Sequence, residues 1–318
     1  MLHKSIITAS QFTKSEVIHF ISKAQQIKQF GPQRVFPNKT IIQMFFEPST
    51  RTSCSFQSAA IKLQCNVISL SEKMSSAEKG ESLEDTIKTI QYYGDAIVLR
   101  HPEKGSSIKA NAISKIPIIN AGDGNGEHPT QALLDIFTMY SELHQRSKLD
   151  ITDDNRPVIT ITFVGDLKNS RTVHSLIELL CLFPKIKFIY ISPKVLQIPY
   201  EIIEKICTLP NCEQVDTMSL DDALKITNVL YMTRIQKERF PTLRDYQTII
   251  LQHEYEKNYC ITAATLPVEN PNMIIMHPLP RNNEISVDVD DDPRSVYFKQ
   301  VENGVYMRMA LLDYIFSQ

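Results

Sequence analysis

The sequence predicts an α/β protein of two doubly wound domains, each a mainly parallel sheet flanked by helices, with its active site between the domains at strand carboxyl ends. Three observations carry that reading. Short apolar runs and amphipathic helical runs alternate along nearly the whole chain, the pattern of parallel strands joined by crossover helices. The apolar runs, such as Ala96-Ile97-Val98-Leu99 and Val158 to Val164, suit strands covered on both faces. A polar stretch from Arg146 to Pro157 then reads as a seam dividing 318 residues into two parts of ordinary domain size.

The elements follow in order. The first helix places Val17, Phe20, Ile21, Ala24 and Ile27 at helical spacing after Thr13 and Ser15, both suitable caps. Strands are predicted at 41–46, 66–70, 95–99, 116–120, 158–164, 187–192, 228–232 and 273–277. Further helices are predicted at 50–64, 81–92, 130–145, 171–182, 199–208, 219–225 and 303–316. Asp288 to Pro293 reads as a solvated loop before the last helix, and no solenoid repeat or low-complexity tract interrupts the series.

Composition narrows the function. A net charge of −2 gives no general reason to bind nucleic acid or a membrane surface, so any basic cluster must be a local device aimed at a small anion. No apolar run reaches membrane-spanning length and no signal peptide opens the chain, so a reducing, cytoplasmic setting is expected. The six cysteines show no CxxC pair and no metal spacing; no metal or cofactor is expected, and Cys54, Cys65 and Cys181 read as buried thiols. Only 9 glycines occur, yet Gly122, Gly124 and Gly126 fall within five residues, which marks that loop as needing glycine for its backbone.

Phe45 to Thr52 is the most informative segment. An apolar strand (Ile41, Ile42, Met44, Phe45, Phe46) stops at Glu47-Pro48, and a helix signalled by Phe56, Ala59, Ala60 and Leu63 begins at once. Ser49, Thr50, Arg51 and Thr52 therefore occupy a helix's first turn, where unpaired N–H groups and the dipole attract an anion. Three hydroxyls and a guanidinium fork exceed what capping needs and suit phosphate. Five further polar groups also fall at strand carboxyl ends: Arg100-His101-Pro102; the Gly122–Gly126 loop with His128; Asp166 and Arg171; Thr233-Arg234; and His277 to Arg281. Open α/β sheets bind ligands at that edge. The convergent side chains Arg51, Arg100, His128, Gln131, Arg171, Arg234 and Gln236 are cations or neutral donors, without an obvious nucleophile. They point to substrates bearing several negative charges and to catalysis by positioning and charge stabilisation.

Four motifs, in order, resemble the aspartate/ornithine carbamoyltransferase family: Phe45-Phe46-Glu47-Pro48-Ser49-Thr50-Arg51-Thr52, His128-Pro129-Thr130-Gln131-Ala132-Leu133-Leu134-Asp135, Gly165 to Ser175, and His277-Pro278-Leu279-Pro280-Arg281. The resemblance runs essentially from residue 5 to the C-terminus. It implies transfer of a carbamoyl group from carbamoyl phosphate to the amino group of L-aspartate, giving N-carbamoyl-L-aspartate and phosphate at an early step of pyrimidine synthesis. It further implies a carbamoyl-phosphate-binding domain at 1–145 plus 295–318 and an aspartate-binding domain at 146–294. Ser49, Thr50, Arg51 and Thr52 would cradle the phosphate, and Arg100 would bridge phosphate and carbamoyl group. Thr52, Arg100 and His128 would stabilise the carbamoyl oxygen. Gln131, the backbone carbonyls of Pro278 and Leu279, and the Pro280 turn would hold the carbamoyl NH₂. Ser75 and Lys79 would lie in a loop reaching a neighbouring subunit's site, which implies a cyclic homotrimer. Arg171 and Arg234, with Gln236 and Lys79, would receive the two carboxylates of aspartate.

Two departures from the family pattern stand out. Ser53 replaces a basic residue common after Ser-Thr-Arg-Thr, and the double Ser75-Ser76 makes the phosphate contact ambiguous, with Ser75 favoured. Ornithine as acceptor is disfavoured, because its site is expected to carry a Cys in the segment where Leu279 stands, and two arginines oppose a diamine. A nicotinamide dehydrogenase is disfavoured because Val164-Gly165-Asp166 is not part of a GxGxxG sequence. A non-catalytic scaffold is disfavoured by the intact Arg51, Thr52, Arg100, His128 and Gln131. His277 reads as structural and Asp166 as a turn-orienting group. No fused domain is expected, and regulatory chains and nucleotide control stay open.

Overall fold

The computed structural model describes residues 4–71, 81–209, 212–250 and 255–317. It divides into two compact units: the chain up to Phe137 together with Val301 onward, and Thr138–Gln300. The cuts fall inside two long helices, α5 and α11 below, rather than in the polar stretch 146–157.

The first unit opens with α1 (Lys14–Phe30). Thr13 caps it reciprocally: its hydroxyl accepts the Glu16 N–H at 3.3 Å, and the Glu16 carboxylate accepts the Thr13 N–H at 2.8 Å. Ser15 lies within the helix rather than at its cap. Four strands follow, β1 (Thr40–Phe45), β2 (Asn66–Ser71), β3 (Ala96–His101) and β4 (Ile118–Asp123), alternating with α2 (Thr50–Lys62), α3 (Leu83–Ile90), α4 (Ser106–Ile113) and α5 (Pro129–Ser147). All pairings are parallel, in the order β2-β1-β3-β4. One core layer joins Ile42, Met44, Ile97, Leu99 and Ile118 to Ile87 and Ala110 of the flanking helices. Full burial of each large aliphatic side chain contributes about 1.5–3 kcal/mol.

The second unit is built the same way. Strands β5 (Ile159–Val164), β6 (Ile186–Ile191), β7 (Cys212–Val215), β8 (Val229–Met232) and β9 (Ile274–Met276) are parallel in the order β7-β6-β5-β8-β9. Helices α6 (Arg171–Leu180), α7 (Tyr200–Cys207), α8 (Leu220–Ile226), α9 (Leu243–Ile250) and α10 (Tyr255–Tyr259) connect them, and α11 (Tyr297–Phe316) closes the chain. Phe163 stacks between Phe188 and Tyr190 on one side and meets Tyr231 edge-on at 5.5 Å on the other.

Some expectations need correction. β4 runs to Asp123, so Gly122 belongs to the strand and the glycine loop starts later than the spacing suggested. α11 begins six residues early, because the 3-10 turn Val287–Asp291 takes most of the segment expected as an irregular loop. Cys54 is exposed and Cys181 half-buried, leaving Cys65 as the buried thiol among the three. Cys54 misses the α2 face that buries Thr52, Ser55, Phe56, Ala59 and Ala60.

Both strand orders reverse direction once. In the first sheet the chain winds one way from β1 to β2 and the other way to β3 and β4, so the reversal lies between β1 and β3. In the second it lies between β5 and β8. A crevice forms beyond the strand ends at such a point, because the flanking connections leave in opposite directions.

Candidate functional site

In the first unit the β1/β3 reversal gathers the Ser49–Thr52 segment and Arg100. Phe45 pairs with Arg100 in the ladder, and the Phe46 N–H donates to the Arg100 carbonyl at 2.9 Å, so the α2 entry lies beside the end of β3. Ser49 is the N-cap residue, but its hydroxyl makes no capping bond. The first main-chain bond of α2 runs from Ser53 N to Ser49 O, so the N–H groups of Thr50, Arg51 and Thr52 precede the helical ladder. Thr52 is buried, whereas Arg51 and Thr50 are exposed.

Arg100 is held from behind. Its Nη1 donates to the Ala121 carbonyl on neighbouring β4 at 3.3 Å, and its Nε lies 3.4 Å from Glu47 Oε2. From the end of β4, Asp123 closes the loop that follows: its carboxylate accepts the N–H groups of Gly105 at 2.8 Å and Glu127 at 2.6 Å. Gly124, at φ +54°, is required there, since a Cβ would lie 2.3 Å from the Pro102 carbonyl oxygen. The loop delivers buried His128 to the start of α5, with Nδ1 3.5 Å from the Thr130 hydroxyl. Gln131, one turn in, donates its Nε2 to Asp135 Oδ1 at 2.8 Å.

In the second unit the β5/β8 reversal gathers Asp166, Arg171, Arg234 and Gln236. Asp166 is fully buried and accepts the N–H and Nδ2 of Asn169 and the N–H of Gln236. Burial raises its carboxyl above the ordinary value, with those hydrogen bonds and Arg234 acting the other way. It ties the loop after β5 to the loop after β8. Arg171 begins α6 and is half-buried. Arg234 spreads its fork on Glu238: Nη1 donates to Oε2 at 3.0 Å, and Nη2 engages Oε1. That bond raises the guanidinium above its ordinary value against the effect of burial. The structure thus shows a carboxylate seated bidentately on the fork that the sequence reading reserves for a carboxylate ligand.

After β9, Leu279 adopts φ +54° and the Leu279–Pro280 peptide is cis. The Leu279 N–H donates to His277 Nδ1 at 2.7 Å, so the ring proton sits on Nε2, which donates to Glu284 Oε1 at 2.8 Å. His277 and Glu284 are both buried and fix this turn, exposing Pro280. Leu279 and Pro280 belong to the second unit, whereas the other residues assigned to the phosphate ligand belong to the first. Ser75 and Lys79 lie outside the described residues.

Sequence reasoning missed four partners: Glu47 beside Arg100, Glu238 on Arg234, Asp135 on Gln131, and the buried Arg308 considered below. Two carried a readable signal, since Gln131/Asp135 and Arg234/Glu238 stand at i, i+4 spacing on helical or turn segments. Among the described residues, no group of three or more His, Cys, Asp or Glu side chains is arranged to hold a metal ion. No described helix is long and apolar enough to cross a membrane.

Two doubly wound units, each with cationic side chains at its own reversal point, define an α/β protein whose strand ends are suited to small anions. Residues 4–141 match the carbamoyl-phosphate-binding domain of the aspartate/ornithine carbamoyltransferases, and residues 158–315 match their aspartate/ornithine-binding domain. The chain belongs to the aspartate/ornithine carbamoyltransferase family. It is 44% identical to the multifunctional protein pyr1-3 of Dictyostelium discoideum over 318 residues, 99% of this chain but 14% of that protein. It is 42% identical to the aspartate carbamoyltransferase catalytic subunit of Methanocaldococcus jannaschii, covering 97% of this chain and 96% of that one. Among solved structures, the aspartate transcarbamoylase of Trypanosoma cruzi in complex with N-(phosphonacetyl)-L-aspartic acid superposes with a TM-score of 0.86. The two share 38% identity over 98% of this chain and 95% of that one.

Proposed function

We propose that the protein is an aspartate carbamoyltransferase, moving the carbamoyl group of carbamoyl phosphate to the amino group of L-aspartate in pyrimidine biosynthesis. The observation that carries this is the donor set at each unit's own reversal point. One is lined by a helix entry rich in hydroxyls and by Arg100; the other is lined by Arg234, already spread bidentately on a carboxylate. The first suits a phosphate and the second a dicarboxylate. Full-length similarity to an aspartate carbamoyltransferase catalytic subunit supports the same reading.

In the proposed reaction Ser49, Thr50, Arg51 and Thr52 hold the phosphate together with the first-turn N–H groups of α2. Arg100, Thr52 and His128 direct donors at the carbamoyl oxygen as it gathers negative charge. Removing one such donor lowers turnover by about 10²–10³-fold in comparable sites. Gln131 and the carbonyls of Pro278 and Leu279 take the carbamoyl NH₂, with Pro280 shaping the turn. Arg171, Arg234 and Gln236 hold aspartate. The amine's proton leaves with the phosphate, in a site closed against water.

The proposed assembly is a cytoplasmic homotrimer in which Ser75 and Lys79 of one copy complete the neighbour's site, so dilution to monomers abolishes activity. The test is direct: purified protein with carbamoyl phosphate and a panel of amines, scored for ureido product. Product with aspartate alone is expected. Product with ornithine instead would refute the acceptor assignment, and none with any amine would refute the activity.

A further inference from the structure

A buried charge lies beneath the first unit's strand-end cations, and the reaction as proposed makes no use of it. Arg308 of α11 is enclosed within the protein, yet its Nη1 donates to the Ser55 hydroxyl of α2 at 2.8 Å and its guanidinium lies 4.9 Å from the Phe56 ring centroid. Gly304, one turn earlier, makes the room: a Cβ there would lie 2.7 Å from Arg308 Nη1. Burial pulls the guanidinium down to about 10, with the charge of Asp135 acting against that fall, so Arg308 is a cation at neutral pH.

Asp135 is wholly buried on α5 and accepts the carboxamide NH₂ of Gln131 at 2.8 Å. A carboxylate only accepts hydrogen bonds, whereas a carboxamide has a donor end and an acceptor end. The contact therefore decides which way round Gln131 stands: Nε2 faces inward to Asp135, and Oε1 faces the other way. Without it, the terminal torsion of a glutamine is broad and roughly two-fold, and both orientations are populated.

We propose that Asp135 is a positioning residue that presents the Gln131 carbonyl to the NH₂ of the acyl phosphate, so that a carbamoyl group is selected over an acetyl group. The proposal rests on the assignment of Gln131 to the carbamoyl NH₂. Acetyl phosphate has a methyl group in place of NH₂ and gains nothing from a correctly turned Gln131. If Asp135 had a purely structural role, its loss would weaken both acyl phosphates alike.

The experiment measures dissociation constants for carbamoyl phosphate and acetyl phosphate on the wild type, Asp135→Asn, Gln131→Ala and the double variant. Asp135→Asn, in which the Gln131 carboxamide populates both orientations, is expected to weaken carbamoyl phosphate about twofold and to leave acetyl phosphate unchanged. On the Gln131→Ala background, Asp135→Asn is expected to add nothing. Equal weakening of both ligands, or an unchanged preference for carbamoyl phosphate, would overturn the proposal. If Asp135→Asn does not fold, the wild type still decides: the Gln131 side-chain NH₂ signals, assigned by their loss in Gln131→Ala, must show slow hydrogen exchange, and rapid exchange overturns it. A wild type that binds neither acyl phosphate refutes the reading of the site itself and the inference with it.

Discussion

Gly165 is where the second unit is least able to accept a side chain, and Gly165→Ala probes the β5/β8 reversal. The residue sits at φ +112°, and a Cβ would stand 2.1 Å from the Thr233 carbonyl oxygen and 2.7 Å from its hydroxyl. Both are held on β5, since the Thr233 N–H and hydroxyl donate to the Val164 carbonyl at 2.8 and 2.9 Å. Alanine therefore adds about 1–3 kcal/mol of backbone strain and about 1–3 kcal/mol of overpacking. The sum, about 2–6 kcal/mol, corresponds to a fall of about 5–20 °C in Tm for a unit of this size. Thr233 precedes Arg234, so the aspartate requirement should rise while carbamoyl phosphate binding holds. Thermal and urea unfolding followed by circular dichroism, with kinetics below the transition, measure both effects. A Tm within about 1 °C of the parent, with unaltered aspartate kinetics, would show that the strand ends are not clamped as described.

Arg234→Ala should raise the KM for aspartate by about 30-fold or more, the usual consequence of removing one partner of a bidentate charge pair, with the Kd for carbamoyl phosphate unchanged. Equal loss of both affinities in steady-state kinetics and calorimetry would contradict the assignment. Acid should destabilise the second unit in a defined direction. Burial alone would raise the Glu284 carboxyl, but the hydrogen bonds it accepts from His277 and from the Asn282 N–H hold it below its ordinary value; hydrogen bonds from Arg281 and Arg294 depress Asp290 and Asp292. Depressed carboxylates contribute stability that is present above their unfolded pKa of about 4 and is lost as pH falls through the folded values. Glu284→Gln should therefore be less stable at pH 7 and should lose stability less steeply below about pH 4, as read by urea unfolding across a pH series. Thiol labelling followed by mass spectrometry should modify exposed Cys54 and Cys207 well before buried Cys65. Burial pushes the Cys65 thiol up to about 11, which starves it of thiolate.

The alternation of strands and helices was legible because sheets covered on both faces demand uninterrupted apolar runs, and Ile97-Val98-Leu99 or Ile159 to Val164 can hardly be anything else. Elements that fail that rule were missed. β7 (Cys-Glu-Gln-Val) is an edge strand without a fully buried residue. α4 meets the core with Ser106, Ser107 and Ala110, too small and polar to announce a buried face. The candidate residues could be grouped in advance because parallel winding sends the end of every strand to one edge, so position along a strand is position in space. Their supports could not be read in the same way. That Arg308 rises under Ser55 from the far end of the chain follows from packing alone, and no local pattern around either residue states it.

Parallel winding has one more effect. Helices α2 to α5 in one unit and α6 to α8 in the other each start where a strand of the sheet has just ended, so in each unit their amino-terminal poles crowd one rim of its own sheet. The summed peptide field there draws anions without regard to identity. Discrimination then falls to a handful of side chains, and in the proposed reaction the rim that takes the acyl phosphate also attracts the inorganic phosphate it releases. Sulfate and phosphate should thus act as competitors whose grip tightens as added salt is withdrawn.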